Sequence, residues 1–140
     1  MILVLDTTFF ALHYFSKDEE VLSKTKRTLY LCRKLGNRGI IPTMVLCEFY
    51  ALTHKKAGRI LAEKHFNEMV NSGLRIVELS IEASRQAGII RRKYEEEIPW
   101  GDCIIAATGL VSKADYIVTE DPHFKQIKEV KPRNLEELRL

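Results

Sequence analysis

The sequence predicts an α/β layer fold: a mainly parallel central sheet of four or five strands flanked by helices. Three observations carry this. The chain opens with an unbroken apolar run, Ile2–Leu5, which lacks the polar alternation of a half-exposed strand and suits a strand buried on both faces. Similar short runs recur at 39–42, 74–79 and 116–119. Between them lie longer amphipathic stretches, so strands and helices alternate as in βαβ units. No linker, repeat or low-complexity stretch interrupts the 140 residues, and at about 150 residues per domain the chain reads as one domain over 1–140.

Taken in order, the first strand runs into Asp6, and Thr7 and Thr8 are candidate caps for a short apolar helix over 9–15. A second helix spans 18–35 and stops at Gly36-Asn37. After the strand at 39–42, Pro42-Thr43 starts a helix whose apolar stripe holds Val45, Phe49 and Leu52, with Glu48 among them. An acid on a buried stripe needs a partner. A helix over 60–71 closes at Ser72-Gly73, and a third strand covers 74–79. Ser80 caps a helix reaching about Glu97, and Pro99 breaks it. Gly101-Asp102 opens an Ile- and Ala-rich internal helix, 103–112, followed by the strand at 116–119. A fifth strand is expected at 127–130, and Asn134 caps a short terminal segment.

Composition excludes several classes. Hydrophobic residues are 46% and charged residues 29%, ordinary for a globular chain and not for a disordered one. Apolar runs fall far short of the ~18–20 residues of a membrane span, and no basic, then apolar leader precedes Asp6. Cys32, Cys47 and Cys103 show no C-x-x-C spacing, so they read as unpaired thiols of a cytoplasmic protein, with Cys47 and Cys103 in the core. The seven glycines form neither G-x-G-x-x-G nor a P-loop, which argues against dinucleotide or nucleoside-triphosphate binding. A G-x-S-x-G elbow is also missing. His13, His54, His65 and His123 lack ligand spacing and read as surface histidines.

The carboxylates are more informative. Asp6 leaves the first strand, Asp121 follows the fourth, Asp102 sits at a helix start and Glu48 lies on an inward helix stripe. In open parallel sheets, sites form outside the carboxyl ends of the strands, so four acids from distant segments can meet at one sheet edge. Singly, each has a plain structural role: Asp6 and Asp102 as helix caps, Asp121-Pro122 as a turn opener, Glu48 as the partner of a buried arginine. Together they conflict. Two carboxylates about 5 Å apart repel by roughly 3 kcal/mol at an effective dielectric near 20. A cluster of four therefore calls for cations, and an oxygen-only donor set selects Mg²⁺ or Mn²⁺. Such a centre suits phosphodiester hydrolysis.

The segments Leu3-Val4-Leu5-Asp6-Thr7-Thr8, Pro42-Thr43-Met44-Val45-Leu46-Cys47-Glu48, Trp100-Gly101-Asp102-Cys103-Ile104-Ile105-Ala106-Ala107 and Ile117-Val118-Thr119-Glu120-Asp121-Pro122-His123-Phe124 resemble, in this order, the four acidic motifs of PIN domains. They look most like VapC-type toxins and their archaeal relatives. The resemblance implies a Rossmann-like sheet and a metal-dependent endoribonuclease, usually homodimeric, that is the toxin of a toxin–antitoxin pair. It implies Asp6, Glu48 and Asp102 as core metal acids, Asp121 as the fourth, and Thr8 and Thr119 as supporting hydroxyls. Glu120 is the alternative to Asp121. It also implies a small antitoxin protein that covers the site.

Basic residues at 24–38, Lys55, Lys56 and Arg59, and Arg91, Arg92 and Lys93 can offset phosphate repulsion along an RNA, or be solvated helix faces. Trp100, beside Asp102, is either the anchor of a buried corner or a base-stacking platform. Two rival functions remain. One is a PIN-like RNA-binding or interaction module without turnover. The other is a haloacid-dehalogenase-like phosphatase, which needs a second acid two residues after the first, where this chain has Thr8.

Overall fold

Residues 1–139 are described by a computed structural model of the chain. The elements are β1 (Ile2–Leu5), α1 (Thr7–Phe15), α2 (Glu19–Cys32), β2 (Arg38–Pro42), α3 (Thr43–Ala57), α4 (Arg59–Val70), β3 (Arg75–Val77), α5 (Ile81–Lys93), α6 (Trp100–Val111), β4 (Tyr116–Val118) and β5 (Pro132–Arg133). A 3₁₀ turn covers Pro122–Gln126. The sheet order is β3-β2-β1-β4-β5, and every pairing is parallel.

β1 is the middle strand, which is why its run is apolar on both faces: Leu3, Val4 and Leu5 are all buried. Leu3 pairs with Gly39 on one side and with Tyr116 on the other. Side chains alternate faces along a strand, so Leu3 and Gly39 share one face, and Val4 and Ile40 share the other. α2 covers the first face. A Cβ on Gly39 would lie 2.6 Å from Cys32 Cβ, so only glycine lets that helix approach. α6 covers the second face, where the backbone at Gly109 sits against Ile117 and Val4.

Because β2 and β3 extend the sheet to one side of β1 while β4 and β5 extend it to the other, the connections diverge between β1 and β4. A crevice opens there at the carboxyl ends of the strands. The turn after β1 delivers Asp6, the turn after β4 delivers Thr119 and Asp121, and α3 and α6 start at the same edge.

Several sequence expectations shift. The fifth strand is Pro132–Arg133, not 127–130. The amides of Ile127 and Val130 bond locally to the carbonyls of Phe124 and Ile127, so they are spent in turns. Pro132 is tolerated because β5 is an edge strand. α5 ends at Lys93 rather than near Glu97, since Glu95 and Glu96 take left-handed φ of 56° and 64° and their amides bond back to Arg92 and Arg91. Ser80 does cap α5, accepting from the Ala83 amide at 3.0 Å. Thr7 and Thr8 are not caps but the first two residues of α1, with Asp6 at the N-cap position. Cys47 is exposed rather than core, whereas Cys103 is buried. Trp100 is exposed rather than a buried corner anchor. The aromatic face of α1 turns inward: Phe9 and Phe10 are buried, and Phe10, Tyr14 and Phe15 all pack on Phe49 of α3. Among the described residues no helix is long and apolar enough to cross a membrane.

Candidate active site

Asp6 occupies the N-cap position of α1, yet its side chain makes no cap hydrogen bond. Its carboxylate Oδ2 instead accepts from Thr119 Oγ1 at 2.6 Å and from Thr8 Oγ1 at 3.0 Å. Both hydroxyls are themselves oriented. Thr119 Oγ1 accepts from the Asp121 amide and Thr8 Oγ1 from the Glu120 amide, each at 2.9 Å. Their protons are therefore free to point at Asp6. Burial raises the Asp6 pKa, the hydroxyl bonds oppose that rise, and the charge of Asp121 adds to it.

Glu48 is half-buried on α3, and Thr7 Oγ1 donates to its Oε1 at 2.7 Å. Its pKa is raised by burial and by the charges of Asp6 and Asp121, against the Thr7 bond. Gly101 is the residue that admits it: a Cβ at position 101 would sit 2.6 Å from Glu48 Oε2.

Asp102, in the first turn of α6, is 7% exposed. Its Oδ2 is buried and accepts no hydrogen bond, although His123 Nδ1 lies 3.4 Å away. Burial and the neighbouring carboxylates of Asp121, Asp6 and Glu48 push its pKa from 3.8 up to about 8. Asp121, half-buried, accepts at Oδ1 from the amide of His123 at 2.9 Å and lies 2.8 Å from His123 Nδ1.

The structure thus brings Asp6, Glu48, Asp102 and Asp121 together, and the charge of Asp121 acts on each of the other three. Asp102, Asp121 and His123 are tightest, with ligand atoms all within 4.8 Å of one another. Glu120 is exposed and faces the carboxylates of Glu136 and Glu137 instead, so Asp121 is the acid that joins the cluster. Two participants have other roles in the sequence reading: Thr7, a candidate cap, bonds Glu48, and His123, a surface histidine by its spacing, faces Asp102 and Asp121. The Asp121-Pro122 pair carried the signal for His123, because an Asx turn folds residue i+2 back onto the aspartate.

The described residues fit a hard divalent ion. Their ion pairs bring no lysine or arginine to these acids, only His123. The donors are carboxylate oxygens with one imidazole nitrogen, and a buried carboxylate oxygen stands without a partner.

The family model for the PIN domain matches residues 3–130. The chain belongs to the PIN domain family. No curated protein sequence matches it. Among solved structures, this PIN domain is similar to VapBC2 from Rickettsia felis bound to a DNA fragment from its promoter. That match has 22% identity and a TM-score of 0.78, and covers 96% of this chain and 98% of that one. It is also similar to the Mycobacterium tuberculosis toxin VapC20, described as cleaving the sarcin–ricin loop, at 20% identity and a TM-score of 0.70, over 93% and 99% of the chains. FitAcB from Neisseria gonorrhoeae shares 18% identity at a TM-score of 0.69, over 99% and 100%. At these identities the likeness establishes the fold, a five-stranded parallel sheet between helices.

Proposed function

We propose that this PIN domain is a metal-dependent endoribonuclease that hydrolyses RNA phosphodiester bonds, and the toxin of a toxin–antitoxin pair. The observation that carries the reading is Asp102: a buried carboxylate with an unpartnered oxygen, facing three further acids and no fixed cation. An isolated helix cap needs no such neighbours. The family membership and the VapBC neighbours support the same reading, and the neighbour described as cleaving the sarcin–ricin loop favours RNA as the polymer.

On this reading Asp6, Glu48 and Asp102 hold Mg²⁺ or Mn²⁺, and Asp121 is the fourth acid. The chemistry a bound ion supplies is an acidified water and neutralised phosphate charge. The chain's own residues prepare the place. Thr8 and Thr119 fix the rotamer of Asp6, Thr7 fixes Glu48, and the turn at Pro122 sets Asp121 and His123 against Asp102. Burial and the neighbouring carboxylates favour the protonated form of Asp102, and a bound cation would favour the ionised one.

The same reading assigns a small antitoxin as protein partner, a homodimer as the working unit, one domain over 1–140, and the cytoplasm as location. Free thiols at Cys32, Cys47 and Cys103 are consistent with the last. Exposed Leu79 and Ile81 at the start of α5 offer apolar surface for self-association. Incubating the purified chain with single-stranded RNA, with Mn²⁺, with Mg²⁺ or with chelator, tests the central claim. Cleavage that needs the metal and disappears in Asp6→Asn is the expected result. Metal-indifferent binding without cleavage would instead favour an RNA-binding module.

A further inference from the structure

Trp100 is the chain's only tryptophan, and it is 53% exposed. Indole carries a large apolar surface that normally seeks burial or a partner. Its backbone is anchored. Ile98 is fully buried, Pro99 caps α6, the Cys103 amide bonds the Pro99 carbonyl at 3.0 Å, and Cys103 Sγ donates to the Ile98 carbonyl at 3.6 Å. The ring therefore projects from a fixed helix start.

One face of that ring is taken. The Arg91 guanidinium of α5 lies 4.8 Å from the ring, and Arg91 Nε is buried with no hydrogen-bond partner. An arginine that leaves Nε without an acceptor is placed for its plane rather than for an ion pair. The exposed surface is thus the opposite face and the edge of the indole. Asp102 follows two residues later, about 200° round the helix axis, so it turns in towards the acids while Trp100 stands on the outer flank, and Gly101 between them packs against Glu48.

We propose that Trp100, backed by Arg91, is a stacking platform for an unpaired RNA base flanking the phosphate held at the carboxylates. The choice of polymer rests on the ribonuclease reading; the binding itself does not require turnover. Aromatic faces accept any base, and cations beside them track the backbone. Arg92, exposed on the same last turn of α5, supplies such a cation, while Lys93 is already paired with Glu129. A second copy of this chain fits less well, because a two-fold contact centred here would set Arg91 and Arg92 against their own copies. Glu95, Glu96 and Glu97 are exposed in the following turn and repel a polyanion. The strand is therefore expected to run from Trp100 towards Asp102 and not along that turn.

With a single tryptophan, intrinsic fluorescence reports on this position alone. In an Asp6→Asn background with Mn²⁺, an adenylate octaribonucleotide should quench the emission saturably, and added salt should weaken the quenching. Binding of the same RNA, labelled and followed by anisotropy, should weaken roughly tenfold in Trp100→Ala. Trp100→Phe should recover most of the loss, which separates stacking from a folding defect. If the otherwise unaltered chain fails to cleave RNA but the octamer still quenches, the nuclease reading falls and the platform stands. Binding without quenching, no binding at all, or unchanged affinity in Trp100→Ala would overturn the platform. So would an emission change that follows protein concentration without RNA, which would assign this face to a second copy.

Discussion

The Thr119 hydroxyl joins two acids: it donates to Asp6 Oδ2 at 2.6 Å while its oxygen accepts from the Asp121 amide at 2.9 Å. One side chain at the end of β4 thereby sets the position of the carboxylate that follows β1 and of the turn that carries Asp121. The bond also favours the ionised form of Asp6 against the burial that disfavours it.

Thr119→Val keeps the shape and removes this link. The valine variant should lose about 1–2 kcal/mol of stability, because the Asp121 amide loses its acceptor and Asp6 Oδ2 keeps only the bond from Thr8. Its affinity for Mn²⁺ should fall by about 10–100-fold, as for other groups that orient metal ligands. Calorimetric titration with Mn²⁺ checks the second number. Unchanged affinity would show that Thr8, which bonds the same oxygen, holds Asp6 alone.

Gly101→Ala tests how Glu48 is admitted. The added methyl would lie 2.6 Å from Glu48 Oε2 and 3.3 Å from Met44 Cε. The helix conformation accepts alanine, so the expected damage is displacement of Glu48 rather than loss of α6. The expected outcome is near-parental secondary structure by circular dichroism, a melting temperature within a few degrees of the parent, and cleavage of RNA reduced at least about tenfold. Full activity would remove Glu48 from the ligand set.

His123→Ala tests whether the imidazole belongs to the centre. Nitrogen donors add more to binding of Mn²⁺ than of Mg²⁺, and His123 Nδ1 sits within reach of both Asp102 and Asp121. The variant should lose affinity for Mn²⁺ by several-fold while its Mg²⁺ affinity moves less. Equal losses for both ions would make His123 a positioning group for Asp121 only.

Much of this site is legible in the amino-acid sequence. The chain has five aspartates, and each now has an account. Asp18 caps α2, accepting from the Glu20 amide, and Asp115 accepts from the Ile2 amide, so both are structural. The other three converge with Glu48 because each follows a strand or opens a helix at one sheet edge, and that placement is written in the apolar runs before them. Exposure of Trp100 and Cys47 was not legible, since periodicity fixes a face but not what packs against it. Nor was β5. Two residues beginning with proline give no alternation to read, and their pairing depends on where the turns after Asp121 leave the chain. For His123 the turn is legible in Asp121-Pro122, but not that the folded-back imidazole also comes within reach of Asp102 on another element.

pH supplies a further test without mutation. Asp102 has an ordinary carboxyl pKa when unfolded and one of about 8 when folded. Between those values the folded state binds more protons, so stability is full below about pH 4 for this group and falls as pH rises towards 8. Asp6 and Glu48, both raised, act in the same direction. Thermal melts of metal-free protein should therefore drop across pH 5–8. Saturating Mn²⁺, which favours the ionised acids, should flatten that slope. A flat profile without metal would mean the carboxylates do not repel one another as their placement requires.

Asp102→Asn separates a metal acid from a helix cap. Asparagine caps about as well as aspartate, and the Asp102 side chain is not the N-cap, a position Pro99 holds. The substitution removes one charge from a crowded set and keeps the shape. Without metal, the variant should be as stable as the parent or gain about 1 kcal/mol, which reads as roughly 2–4 °C in melting temperature for a chain of this size. The parent should gain stability with Mn²⁺ through mass action, and the variant should gain little. It should also lose cleavage of RNA and show a shallower fall in stability between pH 5 and 8, because the most strongly shifted group is gone. Metal stabilisation and cleavage are read separately from the metal-free melts and their pH slope, which share one cause. Retained metal stabilisation together with retained cleavage would place the reaction elsewhere than at this carboxylate.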